Sequence, residues 1–403
     1  MPIVIASVDN SGDLDPDEFS LVLGGPLFQF WRRARLADDA GSLSHRRSVV
    51  MVLLAWMPLL VLSIAEGRAW DSEVHLPFLR DLELQVRLLI ALPLLIVSEL
   101  VVHQRVRSVV RPFLDDGLIP DDRRKQFDLA VASAMRMRNS IGAELLLIAI
   151  VYGIGILVVW RNALTLDVSS WYGSVANGQI KLTLAGWWLA CVSMPMFQFL
   201  FLRWYFRLFI WARFLWQVSR IKLNLLAGHP DRCGGLGFLS LVRVAFAPLL
   251  FAQGTVLAGM MADRILFADA RLVQFEVELV AVVAFMVFVI LGPLLVFSPQ
   301  LEAAGRKGQL EYGALASRYV REFERKWLRG GTSAGEPPLG SADIQSMADM
   351  GNSFAIVEGM RWAPFTWRTV LHLAATTLLP VLPLTLTMFS PQQMLDALLK
   401  VVV

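Results

Sequence analysis

The chain contains few charged residues and few cysteines for its length of 403 residues. Only 18% of the residues are charged and two are cysteine, whereas 56% are hydrophobic. No polar stretch is long enough for a separate soluble domain, so the composition excludes an ordinary soluble protein. Cys191 lies inside an apolar stretch and Cys233 in a loop, which argues against a structural disulfide. No basic segment precedes an apolar core at the N-terminus, so a cleavable signal peptide is not expected.

Motifs that would assign a chemistry are also missing. The sequence has no Gly-rich phosphate loop and no His-Glu-x-x-His pair. We therefore assign no catalytic residue, cofactor or resident metal from the sequence, and we expect no nucleic-acid partner.

Long apolar stretches dominate what is present. Each is close to the roughly 20 residues that a hydrocarbon core about 30 Å thick requires of a helix. The sequence therefore predicts an all-α polytopic membrane protein in which about seven transmembrane helices contact the lipid bilayer. The predicted spans cover residues 48–66, 86–104, 141–160, 183–207, 241–263, 276–297 and 367–389.

Positive charge is distributed unevenly between the two sides of these spans. Of the 37 lysines and arginines, 29 fall on the side of the N-terminal segment and 8 on the other side. Because cytoplasmic loops carry the excess of basic residues, the N-terminus is predicted to be cytoplasmic and the C-terminus outside.

The positions of the spans and of the polar segments between them divide the chain into four parts. An interfacial helix is expected at 27–36, where aromatic residues alternate with arginines. The predicted parts are a cytosolic N-terminal segment at 1–47; six spans at 48–297, with cytosolic loops at 105–140 and 208–240; cytosolic amphipathic helices and a linker at 298–366; and the seventh span with a short outer segment at 367–403.

Three of the predicted helices depart from a simple span. The fourth continues with helical character to about residue 220, so it should protrude from the bilayer. Ser298 and Pro299 have the form of an N-cap followed by proline in the first turn, which predicts a new amphipathic helix that needs a partner surface. Pro380 and Pro383 predict a kink in the seventh span.

Ionisable residues inside the spans are the first candidates for function, because each costs free energy in hydrocarbon. Glu99 is the deepest of them, and His103 and Arg107 follow it on the same helix face. The candidates for an ion pathway in the cytosolic half are Glu99, His103, Glu144, Arg203, Arg207 and His372.

Two interpretations of this set stay open. In one, the residues form a cytosolic vestibule or ion pathway with Glu99 at a constriction. In the other, Glu99 and Glu144 neutralise Arg203 and Arg207, and His372 reaches the interface. A haem held by His103 and His372 is a remote third option. Coupled transporters usually bind substrate near the midplane, where this chain has no carboxylate, so passive transport is favoured over a pump.

A second candidate is the predicted cytosolic turn HPDRCGGLGFLS at 229–240. Ligation of a metal by His229, Asp231 and Cys233 is one option, although one histidine and one cysteine are too few for a closed zinc site. The glycines allow two other roles, an anion-binding nest of backbone N–H groups or simply a sharp chain reversal. The candidate residues of this turn are His229, Asp231, Arg232, Gly234 and Gly235.

At this turn the chain resembles a group of bacterial polytopic inner-membrane proteins, of unassigned activity, that share an HPD–GGLGFL segment between hydrophobic helices. The resemblance covers about a dozen residues and implies a location in the bacterial inner membrane.

The sequence favours a homo-oligomeric channel or passive transport protein for ions or small solutes. The first alternative is a scaffold or sensor that does not transport and binds a cytosolic protein partner through its cytosolic helices. The second is an enzyme that acts on lipid-soluble substrates at the cytosolic interface.

Overall fold

A computed structural model describes residues 19–33, 44–70, 76–163, 170–176, 179–267, 270–331 and 342–388. Within these ranges most residues are helical, and several helices contain a short 3₁₀ or π segment. Two strands, β1 (Gly173–Ala176) and β2 (Gln179–Leu182), form an antiparallel hairpin that the sequence did not lead us to expect. The helices are α1 (Pro26–Arg33), α2 (Ser44–Ala65), α3 (Leu82–Asp115), α4 (Arg124–Arg138), α5 (Ile141–Ala163), α6 (Leu184–Val218), α7 (Leu236–Ala245), α8 (Ala247–Phe267), α9 (Leu272–Leu328), α10 (Ala342–Glu358) and α11 (Trp367–Met388).

Six of these helices, α2, α3, α6, α8, α9 and α11, are long and apolar enough to cross a membrane. They coincide with six of the seven predicted spans. The remaining span, at 141–160, falls on α5, of which the part Ile141–Gly153 counts only as a shorter apolar helix. The described residues are therefore mainly helical and hold six candidate spans, which is compatible with a membrane protein.

Helix α8 lies at the centre of the bundle and is the most buried of the six. It contacts α3 on one side and α11 on another. Glycine allows these close approaches, because a Cβ atom at Gly254 would lie 1.9 Å from the carbonyl oxygen of Thr377, and one at Gly259 would lie 3.1 Å from Val86 Cβ. Small residues at helix crossings bring backbones together in membrane proteins, where packing rather than hydrophobic burial drives association.

The outermost helices expose apolar side chains instead. Val277 on α9 is 78% exposed and Phe288 is 70% exposed. Such a surface is costly in water but suits lipid, as expected for the outer face of a membrane bundle.

Three of the described helices, α3, α6 and α9, extend well beyond the length of a span, and the extension of α6 was predicted. Helix α6 has 35 residues and ends at Val218, close to the predicted residue 220. Helix α9 has 57 residues, which corresponds to about 85 Å at 1.5 Å per residue. The chain runs on through a 3₁₀ segment, Gly292–Phe297, into the α-helical segment that begins at Ser298.

The junction at Pro299 corrects the predicted helix start. Pro299 does lie in the first turn of an α-helical segment, but Phe297 occupies the N-cap position and makes no side-chain cap bond. Ser298 is therefore not an N-cap. The preceding 3₁₀ segment already belongs to α9. Pro299 therefore begins a new α-helical segment within α9 and not a separate helix.

The amphipathic face of α9 packs on α10 of the same chain. Tyr319 Oη donates a hydrogen bond to the carbonyl of Asp343, and Lys326 Nζ lies 2.6 Å from the Asp343 carboxylate. The partner surface that the sequence predicted for this helix is thus at least partly intramolecular.

The ends of the described chain follow two further expectations. Helix α1 begins at Pro26, one residue before the predicted interfacial helix, and overlaps it to Arg33; the predicted residues 34–36 are outside the described ranges. Helix α11 changes to a 3₁₀ segment at Leu379–Met388, where Pro380 and Pro383 interrupt α-helical hydrogen bonding.

Candidate functional site: a buried arginine–glutamate cluster

Ionisable side chains from four helices meet inside the bundle and form the cluster around Glu99. On α3 and α6 the members are four residues apart, which places each pair on one helix face. Tertiary packing then brings the four helices together. The members of the cluster are Arg47 on α2, Glu99 and His103 on α3, Glu144 on α5, and Arg203 and Arg207 on α6, all of them buried.

Glu99 is the hub of the cluster. Its Oε1 atom lies 2.7 Å from Arg207 Nη1 and 3.5 Å from Arg203 Nη1. Its other oxygen, Oε2, accepts a hydrogen bond from Arg47 Nη2. A carboxylate inside an apolar bundle thus has three guanidinium partners, which compensates its loss of hydration.

Arg203 joins the second carboxylate to the first. Its Nη2 atom lies 3.3 Å from Glu144 Oε1 while Nη1 faces Glu99. The planar guanidinium group suits this bridging role because its donors point in fixed, diverging directions. Glu99 and Glu144 therefore belong to one network rather than to two separate pairs.

An aromatic residue fixes the position of Arg207. The guanidinium carbon of Arg207 lies 4.8 Å from the centre of the Trp204 ring. Trp204 Nε1 donates to the carbonyl of Leu95 on α3, at 3.0 Å. The ring is thus anchored to the neighbouring helix, and a cation–π contact holds the arginine above it.

The segment before α1 covers the cluster. Ser20 Oγ lies 2.8 Å from His103 Nδ1 and also accepts the backbone N–H groups of Val22 and Leu23. Arg138 Nη1, from the end of α4, donates to the carbonyl of Ser20 at 2.6 Å. Burial, together with repulsion by Arg207, lowers the pKa of Arg138 to about 10, so the side chain keeps its charge at neutral pH.

Several of these residues were not found from the sequence. Arg47 was counted only as a loop charge, and Ser20 and Arg138 were not candidates at all. The one available signal was the position of Arg47 at the start of an apolar helix, where a buried cation needs an acid from another span. Contacts of Ser20 with His103 span 83 residues and follow from no local pattern.

His372 does not join the cluster. Its side chain is exposed on α11, and α11 packs against α8 and α9. The histidine pair considered for haem ligation is therefore not formed, because His103 is buried against Ser20. Five of the six predicted pathway residues are brought together and the sixth is not.

The turn at 229–240 is organised around the carboxylate of Asp231. Its Oδ1 atom accepts the backbone N–H groups of Cys233 and Gly235, at 2.7 and 3.2 Å, and Oδ2 accepts that of Gly237 at 2.7 Å. Gly234 and Gly235 adopt positive φ angles of 63° and 97°, which suit glycine. The nest of N–H groups considered for an external anion is thus filled by Asp231 itself.

Electrostatics in this turn favour the charged form of Asp231. Although burial alone acts in the opposite direction, the N–H groups of Cys233, Gly237 and Gly235 and the nearby His229 hold the pKa of Asp231 below its usual range. His229 Nδ1 lies 2.8 Å from Asp231 Oδ1. The carboxylate is therefore ionised at neutral pH and stabilises the turn.

The turn is also joined to the chain that follows α10. Arg361 donates from Nη2 to the carbonyl of Asp231 at 2.7 Å, and its backbone N–H donates to the carbonyl of Arg232. Cys233 Sγ faces the carbonyl of Ala363 at 3.6 Å, and burial raises the pKa of its thiol. Among the described residues no group of three or more His, Cys, Asp or Glu side chains is arranged to hold a metal ion.

No protein-family model, curated protein or solved structure matches the chain. The fold and the buried cluster place it in the broad class of helical proteins with the architecture of polytopic membrane proteins. The resemblance of the 229–240 turn to bacterial inner-membrane proteins stays a prediction.

Proposed function

We propose that the chain is a homo-oligomeric protein of the bacterial inner membrane that passively conducts ions or small solutes. In this proposal it has seven spans, a cytoplasmic N-terminus and an outer C-terminus. The cluster around Glu99 then lies toward the cytosolic end of the bundle, where the extensions of α6 and α9 also project.

One observation carries the proposal, namely that Glu99 and its arginines are enclosed by helices rather than placed on a loop. Ionisable residues at such depth are expensive and by default mark a pathway or a site. Mutual neutralisation explains why Glu99 is tolerated. It does not explain why three buried arginines accompany two buried glutamates.

Enclosure of the cluster also constrains how conduction works. Arg207 is only 3% exposed and Glu99 5% exposed in the single chain. Passage of a solute therefore requires either a rearrangement of the helices around the cluster or a pathway where copies of the chain meet. The apolar outer faces of α9 and α11 leave room for contacts between copies within the membrane.

Flux into liposomes tests the proposal. The purified full chain is reconstituted, and the efflux of chloride, phosphate and potassium is measured against protein-free liposomes. We expect flux with the wild type, an altered rate with Glu144→Gln, and no change with Glu302→Gln. Glu302 is a matched control because it sits on the exposed part of α9 and pairs with Arg306.

Two results would overturn the proposal. One is the absence of flux for every ion with correctly folded protein. The other is equal flux for Glu144→Gln and the control, since Glu144 belongs to the cluster through Arg203.

A second candidate function is supported by the hairpin of α9 and α10. The part of α9 beyond Ser298 carries exposed apolar residues, among them Leu310 at 76% and Leu328 at 73% exposure. A scaffold or sensor that binds a cytosolic protein through this hairpin would co-purify with its partner and show no conductance. Leu310→Ser would then release the partner without changing flux.

A further inference from the structure

The cluster around Glu99 carries more positive than negative charge. Its buried charged members are three arginines and two glutamates, and Arg107 and Arg138 add two half-buried guanidinium groups beside it. Among the described residues, the ion pairs of the cluster use only Glu99 and Glu144 as carboxylates. A surplus of charge in a medium of low dielectric constant is unfavourable unless an anion compensates it.

Unused hydrogen-bond donors coincide with this surplus. Arg207 Nη2 and Arg107 Nε are fully buried and have no hydrogen-bond partner among the described residues. Buried polar atoms are nearly always paired, so an unpaired guanidinium donor calls for an acceptor that the described chain does not supply. Arg207 meets this description most clearly, because its whole side chain is buried.

Arg107 and Arg207 are connected through His103 and Arg138. Arg107 and Arg138 are both close enough to His103 to act on it electrostatically, and Arg138 is close enough to Arg207 to repel it. The charges of Arg107 and Arg138 therefore meet around His103, where Ser20 contacts both His103 and Arg138. Repelling cations are held together here by packing, which is the usual arrangement of a site that binds an anion.

The segment at 20–25 encloses this neighbourhood. A Cβ atom at Gly24 would lie 2.5 Å from Arg138 Nη2, and one at Gly25 would lie 3.0 Å from Glu144 Oε1. Both glycines have positive φ angles, 138° and 89°. The backbone thus passes directly over the charged groups, in a conformation that favours glycine.

We infer that Arg107, Arg138 and Arg207 bind a phosphate group, supplied either by free phosphate or by the headgroup of an anionic phospholipid. Guanidinium groups match the geometry of phosphate oxygens and form charge-assisted hydrogen bonds with them. One phosphate provides both the negative charge and the acceptors that the cluster lacks. The inference deepens the proposed function by naming the class of ion, and it rests on that function only for the step of transport.

A segment of the chain itself is the main competitor for this role. Four acidic residues, Asp13, Asp15, Asp17 and Glu18, immediately precede Phe19 in the sequence. If one of their carboxylates compensated the surplus, no external phosphate would be needed. The experiment therefore includes a variant that lacks residues 2–18.

Binding is measured separately from flux on the purified full chain. Equilibrium dialysis with labelled inorganic phosphate gives the affinity, and native mass spectrometry shows any phospholipid that stays bound. Arg107→Gln removes the guanidinium donor and its charge, whereas Arg107→Lys keeps the charge but loses the planar guanidinium group. Arg306→Gln is the control, because Arg306 is an exposed arginine. Thermal unfolding confirms that each variant is folded.

We expect phosphate binding by the wild type, a loss of about tenfold or more for Arg107→Gln, as for a charge-assisted hydrogen bond, and a smaller loss for Arg107→Lys. The control should bind like the wild type. If the source is a lipid, the wild type retains phospholipid, free phosphate binds only after delipidation, and Arg107→Gln retains less lipid. If the source is free phosphate, only equilibrium dialysis distinguishes Arg107→Gln from the wild type.

The inference is overturned if the folded wild type binds neither phosphate nor phospholipid, or if Arg107→Gln binds as tightly as the control. It is also overturned if phosphate binds only to the variant that lacks residues 2–18, because the chain then supplies its own anion. Binding without flux would contradict the proposed conduction and leave the phosphate site intact. Flux without binding would overturn the phosphate site and leave the proposed conduction intact.

Discussion

Two carboxylates, Glu99 and Asp231, each have several donors around them, but the donors differ in kind. Asp231 is bound by neutral backbone N–H groups that lie within six residues of it. Glu99 is bound by three guanidinium groups that come from two other helices. The charge and the donors around Asp231 are matched, whereas the cluster around Glu99 has more positive charge and more donors than its carboxylates use. Of the two, the cluster around Glu99 is the one with a surplus of positive charge that an anionic ligand can compensate.

The difference also separates a local from a non-local structure. A turn built on one side chain and its own backbone forms wherever the sequence encodes it. A cluster of charges from four helices exists only after those helices have packed. Removal of the central carboxylate should therefore have unequal consequences at the two places, and the following predictions measure them.

The largest effect is expected for Glu99→Gln. Among the described residues, loss of this charge leaves Arg47 and Arg207 without a carboxylate partner and Arg203 with Glu144 only. Breaking a buried ion pair from one side costs about 3–5 kcal/mol. Thermal or denaturant unfolding in detergent measures the change. The control Glu302→Gln should stay within about 0.5 kcal/mol, since exposed pairs contribute little. Equal stability of the two variants would refute the assignment of Glu99 as the hub.

For Asp231→Ala we expect a smaller decrease in the free energy of unfolding, about 2–3 kcal/mol. The substitution removes the acceptor of three backbone N–H groups at a partly exposed site. Asp231→Asn should lose less, since one side-chain oxygen remains. Unfolding under the same conditions gives both values. If Asp231→Ala destabilises the protein more than Glu99→Gln does, the proposed contrast between the two carboxylates is wrong.

Arg361→Ala should lower the free energy of unfolding by about 1 kcal/mol, which is the typical contribution of one hydrogen bond. The substitution removes the bond from Nη2 to the carbonyl of Asp231 but keeps the backbone bond to Arg232. Besides unfolding, limited proteolysis between α10 and α11 reports whether the turn is still joined to that segment. Unchanged stability and unchanged proteolysis would show that the side chain contributes nothing.

The smallest effect is a pH dependence that comes from Asp231. Its folded pKa is lower than the ordinary 3.8, so its stabilising contribution is complete above that value and is lost as the pH falls through the folded pKa. The oxygens still accept hydrogen bonds after protonation, which keeps the change small. The stability difference between the wild type and Asp231→Asn, followed from pH 7 downward, should shrink below about pH 4. A difference that grows toward low pH would reverse the sign and contradict the account.

Local patterns account for what the sequence predicted correctly. The length of apolar stretches located six candidate spans, and helical spacing placed Glu99 with His103 and Arg203 with Arg207. A turn at 229–240 followed from proline and glycine, although the sequence did not reveal that Asp231 fills the nest. These inferences depend on neighbours in the chain, for which spacing is sufficient information.

Non-local packing accounts for what was missed. The pairing of Arg47 with Glu99 and the contact of Ser20 with His103 depend on how separate elements meet. His372 was expected at the depth of His103, but depth does not determine which helices are neighbours. Pro299 was read as a helix start, because the sequence does not show that a 3₁₀ segment already continues the helix there.

The central claim is that the cluster around Glu99 has a surplus of positive charge that a phosphate group neutralises. An experimental density map of the full chain, purified with inorganic phosphate and resolved to the level of side chains, tests it most directly. The account predicts tetrahedral density about 3 Å from Arg207 Nη2 or Arg107 Nε, beneath the segment at 20–25. A carboxylate of residues 13–18 in that place, or water alone, would contradict it.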